Sequence, residues 1–190
     1  MHPFEFILLF FSFIYTVALT HILFAATRMI RHRRQLVFSW PHALWMLSTL
    51  LFLSANWLSL WDLREIPTFS LEVIVSNFAL VIGQYFVSAL VAPDFENGDG
   101  YDLREFHRHE RRTYLGAYIA LMAICILVNL EAAIRFGLGS WGQQNLIGFP
   151  ILAAVLAAFF IDRRWVQIAA PLAVVCLLLI YPILYYPALK

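Results

Sequence analysis

The sequence is poor in charge: Asp, Glu, Lys and Arg make up 13% of its 190 residues, against about 25% in ordinary soluble domains. Its only lysine is Lys190. A retinal Schiff base needs a lysine within the membrane, so this scarcity excludes a rhodopsin. The formal net charge of +1 provides no broad basic surface, and this argues against nucleic acid as a partner.

Metal-binding patterns are also scarce. Cys125 and Cys176 both fall in apolar runs and have no metal-ligand spacing. The acidic stretch that begins at Asp94 departs from the calcium-loop template, because its fifth and sixth positions are Gly98 and Asp99. We therefore expect no bound metal and no cofactor, and a simple turn near residues 97–100.

Apolar residues are abundant, at 62% of the chain. A run of roughly twenty such residues crosses a bilayer as a helix, the form in which backbone polar groups are satisfied within lipid. The pattern predicts an all-α integral membrane protein, with one transmembrane domain over residues 1–190. Six spans are expected, at about Phe4–Thr27, His42–Trp61, Leu71–Ala92, Tyr114–Ile134, Asn145–Ile161 and Trp165–Ala188.

Basic residues are distributed unevenly between the two sides that six spans would create. Ten of the 13 follow the first, third and fifth spans, and three lie on the other side. Short loops rich in Arg and Lys remain cytoplasmic, so we expect both termini outside, in a plasma or inner membrane. The longest cytoplasmic loop would be residues 93–113. Tryptophans near the predicted span ends fit aromatic belts: Trp40 and Trp165 inside, Trp61 and Trp141 outside.

Polar side chains inside the third span follow helical periodicity. Ser70, Asn77, Gln84 and Ser88 recur at intervals of seven, seven and four residues, which places them on one helical face. Such a face indicates either hydrogen bonding between helices or a polar pathway for a small solute.

The fourth span carries a second stripe, formed by Tyr118, Met122, Cys125 and Asn129 at intervals of four, three and four residues. His21 in the first span is a further ionisable candidate, as a packing residue, a proton relay or a ligand. A bis-histidine haem is not expected, because the nearest second histidine, His42, lies at the end of a span.

The most polar passage of the chain is YDLREFHRHERRTY, residues 101–114. Asp102 and Glu105 have the spacing of a helix capping box, so we expect a short interfacial helix before the fourth span, acting as a hinge. Basic residues on that helix would dock anionic lipid headgroups or a partner protein at the inner surface; they are Arg104, His107, Arg108, His109, Arg111 and Arg112.

Two alternatives for this passage are less favoured. A metal site of His107, His109 and Glu110 would need an irregular loop, because residues i and i+2 point to different sides of a helix. The R-x4-H spacing from Arg104 to His109 resembles a short motif of certain ribonuclease domains. Those domains are soluble helical folds, so the match is best explained by chance.

Three classes of function are compatible with these features. The first is a channel or transporter for a small solute or ion, oligomeric, with Asn77, Gln84, Ser88, Asn129 and His21 along its pathway. The second is an accessory or scaffolding subunit of a larger, energy-converting membrane complex. The third is a membrane-embedded enzyme acting on lipid or quinone, which needs clustered acid, base or metal groups at one depth. We expect transport and no catalytic residues, with the lipid bilayer, copies of the chain or other membrane subunits as partners.

Overall fold

The fold is a bundle of six α-helices, seen in a computed structural model that describes residues 3–66, 69–94, 101–137, 142 and 145–186. A 3-10 helix, Leu60–Glu65, follows the second α-helix directly, and the two-residue strands β1 (Leu36–Val37) and β2 (Tyr101–Asp102) pair in parallel. The all-α class is confirmed. The helices are α1 (Pro3–Arg31), α2 (Trp40–Ser59), α3 (Leu71–Val91), α4 (Leu103–Phe136), α5 (Gly148–Phe160) and α6 (Arg164–Tyr185).

Five of these helices, all except α5, are long and apolar enough to cross a membrane. Their outer faces carry exposed apolar side chains such as Phe13, Phe86 and Leu172, consistent with an integral membrane protein. The helix α5 has 13 residues, about 20 Å at 1.5 Å per residue, whereas a hydrocarbon core is about 30 Å thick.

Local sequence accounts for the helix ends. The hydroxyl of Ser70 accepts a hydrogen bond from the amide of Val73 (3.4 Å) at the start of α3. At the start of α4, the Asp102 carboxylate accepts from two first-turn amides (2.8 and 3.2 Å), as an N-cap should. The helix α4 ends at Gly137, whose φ of 64° suits glycine because it has no Cβ.

The helix α4 differs from expectation. Instead of a short interfacial helix and a hinge, the structure has one unbroken helix of 34 residues, about 51 Å long. Neither Gly nor Pro lies between Leu103 and Tyr114 to end it, and its buried face continues across that stretch. The predicted N-cap at Asp102 is correct, and the prediction of a separate interfacial helix is wrong. Residues 95–100, with the expected turn, lie outside the described residues, as do Trp141 and residues 187–188.

Contacts along α1 and α3 show that these two helices run in the same direction. Phe10 stacks on Phe78 with ring centroids 5.9 Å apart, and further along both helices His21 meets the Tyr85 ring at 5.6 Å. The order of contacts increases along both chains. The starts of α1 and α3 therefore lie at one end of the bundle.

Ion pairs and hydrogen bonds at the helix ends fix the other directions. Arg135, at the end of α4, pairs with Glu72 at the start of α3, and Arg111, near the start of α4, pairs with Asp162 after α5. The Tyr186 hydroxyl, after α6, donates to the Asp62 carboxylate after α2. Neighbours in sequence therefore alternate in direction, and the first and last described residues lie at the same end.

Candidate functional sites

A cavity of about 420 Å³ lies at the end of the bundle where α2, α4 and α6 finish. Four asparagines line it: Asn56, Asn77, Asn129 and Asn145. Asn129 Nδ2 donates to Asn145 Oδ1 at 3.0 Å, joining α4 to the segment before α5. We call this space the carboxamide cavity.

The carboxamide cavity also has acidic walls. Asp62, Glu65 and Glu131 line it, and no basic side chain does so among the described residues. Glu131 pairs with Arg135 outside the lining at 3.5 Å, and Asp62 accepts the hydrogen bond of Tyr186. Walls of this charge favour a solute that is positively charged or rich in hydrogen-bond donors.

A pair of carboxamides lies at the inner limit of this cavity. Gln84 Oε1 accepts a hydrogen bond from Asn56 Nδ2 at 2.9 Å, and Gln84 Nε2 donates to Ser88 Oγ at 3.4 Å. Asn56 lines the cavity, whereas Gln84 is fully buried behind it. Gln84 and Ser88 thus lie on the buried face of α3 that their spacing predicts, and Asn56 of α2 meets them there.

Aromatic side chains fill the interior beyond this pair. Phe52 stacks on Tyr118 with ring centroids 5.5 Å apart, and Trp45 lies 5.7 Å from Tyr118 and 6.5 Å from Tyr114. Trp45, Tyr114 and Tyr118 have no exposed surface. We call these four residues of α2 and α4 the septum, because they lie between the two ends of the bundle.

A second cavity, also of about 420 Å³, lies at the opposite end, where α2, α4 and α6 begin. Arginine dominates its lining, with Asp162 as the only carboxylate among the described residues that form it. We call it the arginine cleft. Its basic residues are Arg104, Arg108, Arg111, Arg164 and His107.

His107 connects the arginine cleft to the septum. Its Nδ1 lies 2.6 Å from the Tyr114 hydroxyl. Beside it, the Gln167 carboxamide donates to the carbonyls of Ala158 and Ile161 at 2.8 and 2.7 Å. The remaining polar atoms, His107 Nε2 and Gln167 Oε1, make no well-formed hydrogen bond in the part of the chain that the structure describes.

The structure divides the basic residues expected at the inner surface. Arg104, Arg108, His109 and Arg112 are exposed, as docking would require. His107 and Arg111 are buried, with 8% and 7% of their surface exposed. The inward face of α4 carries both side chains toward the bundle, so they line the arginine cleft and do not lie on the open surface. Docking of anionic lipid headgroups or a partner protein stays a prediction for all six residues.

His21 is not brought together with the other pathway candidates. Its side chain is exposed on α1 and meets the edge of the Tyr85 ring. Asn77 and Asn129 line the carboxamide cavity, and Gln84 and Ser88 lie behind it. Among the described residues, no group of three His, Cys, Asp or Glu side chains is placed to hold a metal ion.

One face of α4 borders both cavities and the septum. Comparison of the chain with protein-family models, curated proteins and solved structures finds no match. The face of α4 connects the two ends of the bundle through its interior. Its members recur at intervals of four, three, four, four, three and four residues: His107, Arg111, Tyr114, Tyr118, Met122, Cys125 and Asn129.

Proposed function

We propose that the chain is a membrane carrier that moves a small polar solute or ion from the carboxamide cavity to the other end of the bundle. The observation that carries this proposal is the inward face of α4, which is polar or aromatic along its length except at Met122. It borders the carboxamide cavity at Asn129 and Cys125, passes the septum at Tyr118 and Tyr114, and reaches the arginine cleft at His107. Polar side chains are costly inside a membrane unless they line a pathway or pair with each other.

The charge distribution supports a six-span topology with both termini outside. All ten arginines between positions 28 and 34, 104 and 112, and 163 and 164 belong to the end of the bundle that carries the arginine cleft. This end would be cytoplasmic by the positive-inside rule. The carboxamide cavity would then face outward, and α5 would complete the crossing together with its flanking residues.

The septum favours a carrier over an open channel. A solute in the carboxamide cavity could exchange hydrogen bonds with Asn56, Asn77 and Asn129 and so recover part of its desolvation cost. To proceed, it must displace Gln84 from Asn56 and separate the aromatic rings of the septum. Access from the two sides would then alternate, as in carriers whose site lies between packed helical bundles.

Flux through purified protein in liposomes tests this proposal. Methylammonium, glycerol and urea serve as probes in osmotic swelling assays followed by light scattering. We expect the wild type to admit methylammonium faster than protein-free liposomes do, because the cavity is acidic. Gln84→Leu should bring the rate close to background, since an apolar side chain there offers the solute no hydrogen bond once it leaves Asn56.

Gln35→Leu is the matched control. It makes the same chemical change at an exposed position after α1, so it should leave the rate unchanged. A folded Gln84→Leu protein with wild-type flux would contradict the assignment of Gln84 to the pathway. Wild-type rates equal to those of empty liposomes for all three probes would contradict the carrier proposal itself.

A further inference from the structure

The arginine cleft has a charge that a pathway for cations does not explain. Four arginines and one carboxylate line it. We infer that this cleft is a binding site for the phosphate group of an anionic phospholipid. The inference does not depend on the proposed transport, because it rests on the cleft and its position alone.

Two guanidinium groups are held in the wall of the cleft by bonds that use part of their donor capacity. Arg111 pairs with Asp162 and is buried. The Nε of Arg104 donates to the carbonyl of Phe38 at 3.2 Å. A guanidinium has five N–H donors in a rigid fork that matches phosphate oxygens. Both side chains can therefore hold their present bonds and still donate to a phosphate.

Two buried polar side chains form the inner wall of the cleft. His107 and Gln167 are 8% and 5% exposed and line it. Their side chains interact with each other, but His107 Nε2 and Gln167 Oε1 make no well-formed hydrogen bond among the described residues, which is costly for buried polar atoms. If Tyr114 donates to His107 Nδ1, Nε2 carries the proton. A small shift of either side chain would then let Nε2 donate to a phosphate oxygen and Gln167 Oε1 accept from a headgroup hydroxyl.

The surroundings of the cleft favour a lipid over a soluble phosphate compound. Trp40 lines the cleft, and Trp165 directly follows Arg164 of the lining. Both tryptophans are largely exposed, at 68% and 65%. Exposed tryptophans at the ends of membrane helices mark the level of lipid headgroups. Phe38 and Ile168 add apolar, partly exposed surface to the lining. This side can accept the glycerol backbone and the start of an acyl chain. The volume of about 420 Å³ lies within the range of small-ligand sites.

Lipid binding to the full-length protein in mild detergent tests the inference. Native mass spectrometry would titrate phosphatidylglycerol and phosphatidylcholine with identical acyl chains. Soluble glycerol 1-phosphate would be added as a competitor. We expect phosphatidylglycerol to bind at least about tenfold more tightly than phosphatidylcholine. Glycerol 1-phosphate should not displace it, because it lacks the apolar part.

The decisive comparison is between two double variants that each remove two exposed arginines. Arg108→Gln with Arg164→Gln alters the cleft, and Arg31→Gln with Arg34→Gln alters the same end of the bundle outside it. The cleft variant should bind phosphatidylglycerol about tenfold more weakly, and the control should bind within about twofold of the wild type. Both variants change exposed residues, so both should fold.

Three results would overturn the inference. Equal loss of affinity in both variants would mean general attraction between basic residues and anionic lipid. Wild-type affinity in the cleft variant would place the lipid elsewhere. Displacement of the lipid by glycerol 1-phosphate would mean that the cleft binds a soluble phosphate compound.

Discussion

The hydrogen bond from Asn56 Nδ2 to Gln84 Oε1, 2.9 Å long, allows a quantitative test of how the interior is held together. Bonds of this kind between membrane helices contribute about 0.6 kcal/mol on average and up to about 1.7 kcal/mol. Gln84 is fully buried and Asn56 is 7% exposed, so water competes little for this bond. We therefore expect a value above the average, about 1 kcal/mol.

A double-mutant cycle isolates that bond. Asn56→Leu and Gln84→Leu should each destabilise the protein, because each leaves the other carboxamide without its partner. The double variant removes both groups and should recover part of the loss. The difference between the double variant and the sum of the single variants should be about 1 kcal/mol.

Unfolding by sodium dodecyl sulfate in mixed micelles, followed by tryptophan fluorescence, provides the four free energies. Gln35→Leu combined with Gln84→Leu is the control cycle, because Gln35 lies outside the bundle interior, and its effects should add to within about 0.5 kcal/mol. A coupling between Asn56 and Gln84 below about 0.3 kcal/mol would refute the view that this pair joins α2 to α3.

Two more predictions concern helix packing and orientation. A Cβ on Gly83 would lie 3.1 Å from Leu121 Cδ1, whereas one on Gly116 would lie 3.8 Å from Phe159 Cε2. Replacement by alanine gains up to about 1 kcal/mol of helix propensity at either position, but the crowding at Gly83 should make Gly83→Ala gain less unfolding free energy than Gly116→Ala. Equal gains would contradict close packing of α3 on α4. In a cysteine-free background, Ser70→Cys should react with a membrane-impermeant maleimide in intact cells, and Gln35→Cys should react only after permeabilisation. The reason is that these two exposed positions lie at opposite ends of the bundle. The reverse pattern would invert the proposed topology.

Periodicity in the sequence predicts the buried faces of α3 and part of α4, and the structure shows that the buried face of α4 begins before the predicted fourth span. The stripe through Tyr118 and Asn129 continues to Tyr114, Arg111 and His107 with the same spacing. Those three positions lie in the most charged passage of the chain, and a high density of charge favours a position on the surface. The spacing alone would have identified them as inward-facing.

Long-range partners explain what periodicity cannot predict. Arg111 can be buried because Asp162, 51 residues later, pairs with it, and no local pattern identifies that partner. For His21, the sequence indicates its depth within a span but not the direction of its side chain. That direction depends on where α3 packs against α1, and the structure places His21 on the exposed side.

The absence of a break in α4 has a mechanical consequence. A continuous hydrogen-bonded helix about 51 Å long moves as a rigid body. A displacement at one end is therefore transmitted to the other end, because no hinge between them absorbs it. Two side-chain contacts involve opposite ends of this rigid helix: the ion pair of Arg111 with Asp162 and the hydrogen bond of Asn129 with Asn145. Both tie it to the segments that flank α5, so the two ends of α4 are each fixed to the same neighbouring helix.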